Sequence, residues 1–357
     1  MSKKQAVRAL LFFIVLFGVV IAADSVLRME KVGDILAENR RFRELYTDPE
    51  DTWDGIILGT SVVDRSWAAP EAWSKYGMAV YPLSTDGQPF FLTVSLIEEA
   101  MKYQEISFVV VDLHGFRPEN LKVSSKEIRE VTDQMKWSVN RVKTVKRALD
   151  YMEEWYPGFI ASSDITKASY YLPILRYHRR LTGYKLYKED FFPGKTEMKG
   201  VYEGELRLKV KPVDLKASDA FTELTGQQIQ LLDELIAFAE EKEIQLVFLN
   251  SPSVMEEKQQ GSINAAAAYV AEKGCLVLNF NDSETLEQSG LDGKTDFTDE
   301  LHLNTVGARK FTDMLAAYLH DNLEIQDHRG DSRYQSWDEA AEKYKEFYME
   351  SAENLIY

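Results

Sequence analysis

The chain carries one cysteine, Cys275, in 357 residues. A lone thiol excludes an intrachain disulfide framework and any zinc site built from several thiolates. Histidine is scarce as well, with five in the whole chain, so imidazole chemistry has few places to sit. Basic residues are outnumbered by acidic ones, 42 against 58, for a formal net charge of -16. That balance excludes a broad basic face, and no nucleic-acid partner is expected. Internal repeats and low-complexity tracts are missing, and so are long apolar runs, with one exception at the amino terminus. A hydrophobic fraction of 45% still supplies a large core, enough for one elaborated domain or two ordinary ones.

The exception is the unbroken apolar run 9–23, preceded by Lys3, Lys4 and Arg8 and ended by Asp24. Basic residues before an apolar run are those retained in the cytoplasm, so everything beyond Asp24 is expected on the far side of a membrane. The run falls short of the roughly 20 residues that a spanning helix usually needs. A cleaved signal peptide is therefore the alternative, with Val20 and Ala22 as small residues of a cleavage site. Helical apolar spacing continues through Val26, Leu27, Met29, Val32, Ile35 and Leu36, which favours an uncleaved anchor over 1–24 and a linker helix within 25–53.

Five short aliphatic runs, 54–60, 79–83, 107–113, 245–249 and 276–280, read as strands buried on both faces. Helical patterns lie at 91–103, 225–242, 263–273 and 305–319, so strands and helices alternate. This order predicts a flavodoxin-like, doubly wound parallel sheet over 54–325. The stretch 117–217 breaks the alternation and reads as a helical insertion. It contains Arg-Tyr-His-Arg-Arg at 176–180, the most basic spot on an acidic chain, read as a solvated helix face or a contact for an anionic polymer. The tail 326–357 reads as one surface helix, and its Arg329-Gly330-Asp331 triplet is taken to carry no function.

Ligands of open α/β sheets bind beyond the carboxyl ends of the strands, and Ser61 stands directly after the first predicted strand. A serine hydroxyl needs a base to take its proton, and His302, in Asp299-Glu300-Leu301-His302 before the last helix, is the candidate. Its second ring nitrogen needs a carboxylate, which Asp299 or the nearby Asp296 can supply. Gly87 in the loop after the second strand, with the amide of Ser61 or Val62, is the candidate oxyanion donor pair. Asp112, His114 and Asn250 end the third and fourth strands on the same rim and are candidates for binding or support. This chemistry requires no metal and no organic cofactor.

These blocks resemble the SGNH/GDSL hydrolase superfamily. Ile-Leu-Gly-Thr-Ser at 57–61 stands in the place of the nucleophile block, Leu-Ser-Thr-Asp-Gly-Gln-Pro at 83–89 in that of the oxyanion glycine, and 299–312 in that of the Asp-x-x-His block. The resemblance selects Asp299 over Asp296 and implies a serine esterase or acyltransferase. The amino-terminal anchor and tyrosine-rich insertion resemble the membrane-attached, DltD-like branch that accompanies membrane-bound O-acyltransferases. That branch implies a cell-surface polysaccharide or teichoic-acid-like polymer as partner and an extracytoplasmic domain on a bacterial membrane. Two features depart from the family pattern. Thr60 precedes the serine where Asp or Ser is usual, and no Gly-x-Asn-Asp block follows the third strand, so the usual asparagine donor is unassigned, with Asn250 as a possible substitute. Rival readings are an inactive scaffold docked to a membrane-bound O-acyltransferase and a surface-glycan-binding module.

Overall fold

A computed structural model describes residues 2–28, 33–159, 166–183 and 186–357. Met29 and Val32 of the predicted linker pattern lie outside the described residues, as do 160–165 and 184–185 of the insertion. The sheet is formed by β1 (Gly55–Leu58), β2 (Val80–Pro82), β3 (Phe108–Asp112), β4 (Gln245–Asn250) and β5 (Leu276–Asn279). All four pairings are parallel, and the order is β2-β1-β3-β4-β5. Each strand falls inside or within one residue of an aliphatic run, as expected where both faces are covered.

The helices used below are, in chain order, α1 (Lys3–Val26), α2 (Gly33–Leu45), α3 (Ser61–Asp64), α4 (Ala69–Tyr76), α5 (Thr93–Ala100), α6 (Ser125–Thr132), α7 (Val139–Trp155), α8 (Gly226–Glu241), α9 (Glu257–Glu272), α10 (Thr305–Asn322) and α11 (Gln335–Glu353), with further short helices between them. Right-handed crossovers put the β1–β2 connection on one face of the sheet and the connections leading to β3, β4 and β5 on the other. Accordingly α4 packs against α10, while α5 packs against α8. The chain leaves β1 in one direction along the sheet, and the later strands build in the other. The gap between β1 and β3 is therefore the topological switch point, where a doubly wound sheet opens a crevice.

Three departures from the sequence expectation have physical causes. The helix expected from 263 begins at Glu257, because its polar first turn hides the apolar period. Glu256 and Gln259 cap that turn reciprocally. The carboxyl-terminal α11 is more than a surface helix, since it buries Trp337, Ala340 and Tyr344. Trp337 stacks on Trp73 of α4 at 5.7 Å between ring centroids, and Trp73 Nε1–H donates to Asp338 at 2.9 Å. Finally, the cluster at 176–180 is split, with Arg176 and Arg179 exposed and Arg180 buried. Arg180 donates to the backbone carbonyl of Arg28 at 2.6 Å and pairs with Asp190.

The helix α1 is long and apolar enough to cross a membrane, and its apolar side chains are exposed. Its last turn enters the insertion at Asp24, which is fully buried. Asp24 accepts from the Ile174 amide at 2.8 Å and from Trp137 Nε1–H at 3.2 Å. The next turn is held by Arg28, which donates to the carbonyls of Asp133 and Met135.

Candidate active site

Ser61 opens α3 one residue after the loop that leaves β1, at the switch point. Gly59 makes that turn possible, since a Cβ there would stand 2.5 Å from Val63 Cγ2 and 2.8 Å from Asp112 Cβ. Thr60 is the N-cap residue, and its carbonyl accepts from the Val63 amide.

His302 comes from the other end of the chain. Residues 297–303 form a small hairpin, closed by the Thr298 amide donating to the His302 carbonyl at 2.9 Å and by an antiparallel bridge between Phe297 and Leu303. Asn304 then caps α10, its Oδ1 accepting from the Val306 and Gly307 amides. The hairpin and cap together fix the imidazole over α3.

Ser61 Oγ lies 2.8 Å from His302 Nε2, and His302 Nδ1 lies 2.9 Å from both carboxylate oxygens of Asp299. Asp299 also accepts from the Leu301 amide at 2.8 Å and the His302 amide at 3.0 Å. Burial pushes the Asp299 carboxyl up, but these hydrogen bonds and the neighbouring imidazole outweigh it and hold it below the ordinary carboxylate range. An ionised Asp299 accepts only, so Nδ1 carries the proton and Nε2 is left to accept from the Ser61 hydroxyl. That tautomer is the one general-base chemistry needs. Asp296 is engaged elsewhere, accepting from the Asp292 amide and from Lys310 Nζ, both at 2.7 Å.

The expected oxyanion donors are arranged differently. The Ser61 amide donates to the Asp86 carbonyl at 3.1 Å. In a trans peptide the N–H points opposite to the C=O, so the Gly87 amide faces away from Ser61. Gly87 instead packs against Glu127, whose Cγ would stand 2.6 Å from a Cβ there. The Val62 amide is buried and donates to no described residue. The Asp86 amide is held by Glu38 Oε1 of α2 at 2.6 Å, which ties this loop to the helix that follows α1.

Asn250 is not brought to the site. It lies two strands from β1, roughly 10 Å at the usual strand spacing, and donates to Asn279 Oδ1 at 3.0 Å. Asp112 serves as a staple, accepting from the His114 amide at 2.8 Å and from the Ser251 hydroxyl and amide at 2.6 and 3.0 Å. Burial pushes its carboxyl up to about 6 against these bonds.

His114 does reach the nucleophile loop, with Nδ1 3.2 Å from Thr60 Oγ1. Arg117 lies 2.8 Å from His114 Nε2 and can only donate, so Nδ1 bears the proton and donates to Thr60. Burial pushes the His114 ring down to about 3, helped by the charge of Arg117 and by His302, and keeps it neutral. Sequence reasoning missed the Arg117–His114–Thr60 chain and also missed Arg65. The Arg65 guanidinium stands 3.4 Å from His302 Nδ1 and 3.6 Å from Asp86. Its position one helical turn after Ser61 was the available signal.

A cleft of about 340 Å³ between α7 and α8 is lined by Tyr151, Trp155 and Leu231 and includes none of Ser61, His302 and Asp299. A scan against protein-family models gives no match, and a search of curated proteins finds no relative of this chain.

Proposed function

We propose that this chain is a serine esterase or O-acyltransferase, tethered to a bacterial membrane by α1, that works through an acyl-enzyme on Ser61 outside the cytoplasm. The observation that carries the reading is the Ser61–His302–Asp299 relay, with 2.8 and 2.9 Å contacts in the tautomer that activates a hydroxyl. Its occurrence at the switch point of a doubly wound sheet adds support, because that crevice is where such folds bind ligands.

In the proposed reaction Ser61 Oγ attacks the ester carbonyl carbon as its proton passes to His302 Nε2. The tetrahedral intermediate collapses, and His302 returns the proton to the departing alcohol oxygen. A second hydroxyl, from water or from a cell-surface polysaccharide or teichoic-acid-like polymer, then attacks the acyl-serine with His302 again as base. Asp299 steadies the imidazolium that forms in each step.

Charge building on the carbonyl oxygen needs N–H donors, and the Val62 amide, bonded to no described residue, is the first candidate. The Ser61 amide becomes a second when the Asp86–Gly87 peptide rotates away. Glycine at 87 lets that rotation pass through backbone angles closed to other residues.

The test is p-nitrophenyl acetate hydrolysis by the full chain in detergent, beside Ser61→Ala and His302→Ala, with fluorophosphonate labelling of each. Turnover and labelling that both variants abolish support the enzyme. A wild type as inert as its variants would overturn it in favour of a scaffold docked to a membrane-bound O-acyltransferase. The feature favouring that second reading is the Ser61 amide already satisfied by Asp86.

A further inference from the structure

We infer that residues 174–183 and 186–192 of the insertion form a collar that docks on the anionic phospholipid surface of the bilayer that α1 crosses. Nothing in the esterase reading requires this collar, and its test is independent of activity.

The first ground is position. The unbroken apolar run of α1 ends at Ala23. Asp24 in the same helix is bonded to the Ile174 amide at 2.8 Å, and Arg180 donates to the carbonyls of Val26 at 3.4 Å and Arg28 at 2.6 Å. The headgroup layer adds roughly 5–8 Å on each side of the hydrocarbon core. Segments bonded directly to the first turn beyond the apolar run therefore lie within that layer.

Composition is the second ground. Leu181 is 53% exposed and Phe192 72% exposed, and Leu175, Tyr187 and Phe191 are exposed beside them. Phe191 also shares a groove with Ile21 and Val26 of α1, so the apolar surface of the collar continues that of the helix. Arg176, Arg179 and Lys188 are exposed among these side chains, a basic girdle on a chain whose net charge is -16. Apolar and aromatic side chains interleaved with Arg and Lys are the chemistry of an anionic membrane interface.

The third ground is length. A run over 9–23 spans about 22 Å as a helix, against a hydrocarbon core of about 30 Å. A short apolar span is accommodated by thinning the bilayer and by side chains that anchor at its surface. Phe191 and Phe192 supply apolar surface where the helix falls short.

The test uses the full chain with Cys275→Ser and one new cysteine at a time, Leu181→Cys, Phe192→Cys or Phe221→Cys, each labelled with an environment-sensitive fluorophore. Phe221 is 65% exposed and lies against Gly261 of α9, the helix packed on the edge strand β5. In nanodiscs containing phosphatidylglycerol, labels at 181 and 192 emit at shorter wavelength and are quenched several-fold more by headgroup-proximal nitroxide lipid than the label at 221. Quenching at 181 and 192 no greater than at 221 overturns the proposal. The charge component is read by adding Arg176→Glu and Arg179→Glu, which reduces quenching at 192 in anionic discs. Quenching that ignores both this change and a switch to phosphatidylcholine discs overturns the assignment to anionic lipid.

Discussion

At the scale of single residues, Asp299 and His114 make opposite use of burial. Asp299 stays ionised because His302 and two amides donate to it. Asp299→Asn would offer an amide donor to Nδ1, favouring the tautomer in which Nε2 carries the proton and cannot accept from Ser61. We expect kcat for p-nitrophenyl acetate to fall by roughly three to four orders of magnitude with the fold intact by circular dichroism. A variant that keeps most of its rate would show that Asp299 does not orient the base. His114 is held neutral, near 3, whereas an unfolded imidazole titrates near 6.5. Between those values the unfolded chain takes up a proton that the folded chain refuses, so stability contributed by His114 is lost as pH falls from about 6.5 toward 3. Asp112 acts in the reverse sense. Its folded carboxyl, near 6, keeps a proton that the unfolded one releases near 4, so its contribution is lost as pH rises through that window. The His114 window is wider and should dominate the acid limb. Urea unfolding at pH 7 and pH 4.5 should show wild type losing about 2 kcal/mol more than His114→Gln; equal losses would refute this. Ser61 and His302 were legible from their places after the first strand and before the last helix, whereas Asp299 was preferred to Asp296 only through the family resemblance. The Arg117–His114–Thr60 chain was not legible, since it forms only when β1 and β3 become neighbours. Nor was the satisfied Ser61 amide, because the direction of the Asp86–Gly87 peptide leaves no trace in residue identity.

At the scale of elements, strand positions were readable from aliphatic runs that a sheet covered on both faces demands. Helix ends were readable where side chains cap them, as Thr225 with Gln228 does for α8 and Asn304 does for α10. Roles that depend on distant partners escaped. Arg180 looked like part of a solvated basic run, and Trp337 like one aromatic in a polar tail. Trp337 is in fact the plug between α11 and α4, covered by Trp73 and by the Lys199 ammonium 5.1 Å from its ring centroid. Its Nε1–H has no hydrogen-bond partner among the described residues, so replacing it removes packing and leaves none of their acceptors stranded. Trp337→Ala should therefore destabilise the chain by about 3–5 kcal/mol in urea unfolding. A loss below about 1 kcal/mol would mean that α11 is only appended to the domain. Arg141 does a comparable job inside the insertion. Fully buried, it donates to the carbonyls of Thr132, Tyr170 and Tyr171 and lies 3.6 Å from Asp133. Arg141→Met leaves those carbonyls without this donor and weakens the compensation of the Asp133 carboxylate. We expect about 3 kcal/mol of destabilisation, read in the same assay.

At the scale of the whole molecule, the decisive relation is between α1 and the domain. The sequence left two fates open for the first 24 residues, a removed signal or a retained anchor, because residues 9–23 satisfy both. Tertiary contacts bear on the choice. Asp24 is fully buried, bonded to Trp137 and to the Ile174 amide, and Arg28 and Arg180 grip the turn that follows. Cleavage after Ala23 would create an ammonium group on Asp24 inside this clamp, where desolvating a new charge is unfavourable by several kcal/mol. Cleavage after Ala22 would free only one residue ahead of it. The cut after Ala23 also requires the peptidase to bind beside Asp24, which is fully buried once the insertion has folded. We therefore expect the chain to be retained whole. After expression in bacteria it should stay in the membrane pellet through alkaline carbonate extraction, and its intact mass should include residues 1–24. A chain released by carbonate, with a mass beginning near Ala23 or Asp24, would show that the clamp forms only after the signal is removed. Under the proposed function, retention would also fix the Ser61 site relative to the bilayer. Glu38 of α2 holds the Asp86 amide, and the Asp86 carbonyl in turn meets the Ser61 amide, so the nucleophile loop is linked through α2 to the membrane-proximal part of the chain. If the proposed function holds, a site mounted in this way would sample esters at a fixed height above the lipid, which would suit a polymer assembled at that surface better than a freely diffusing ester.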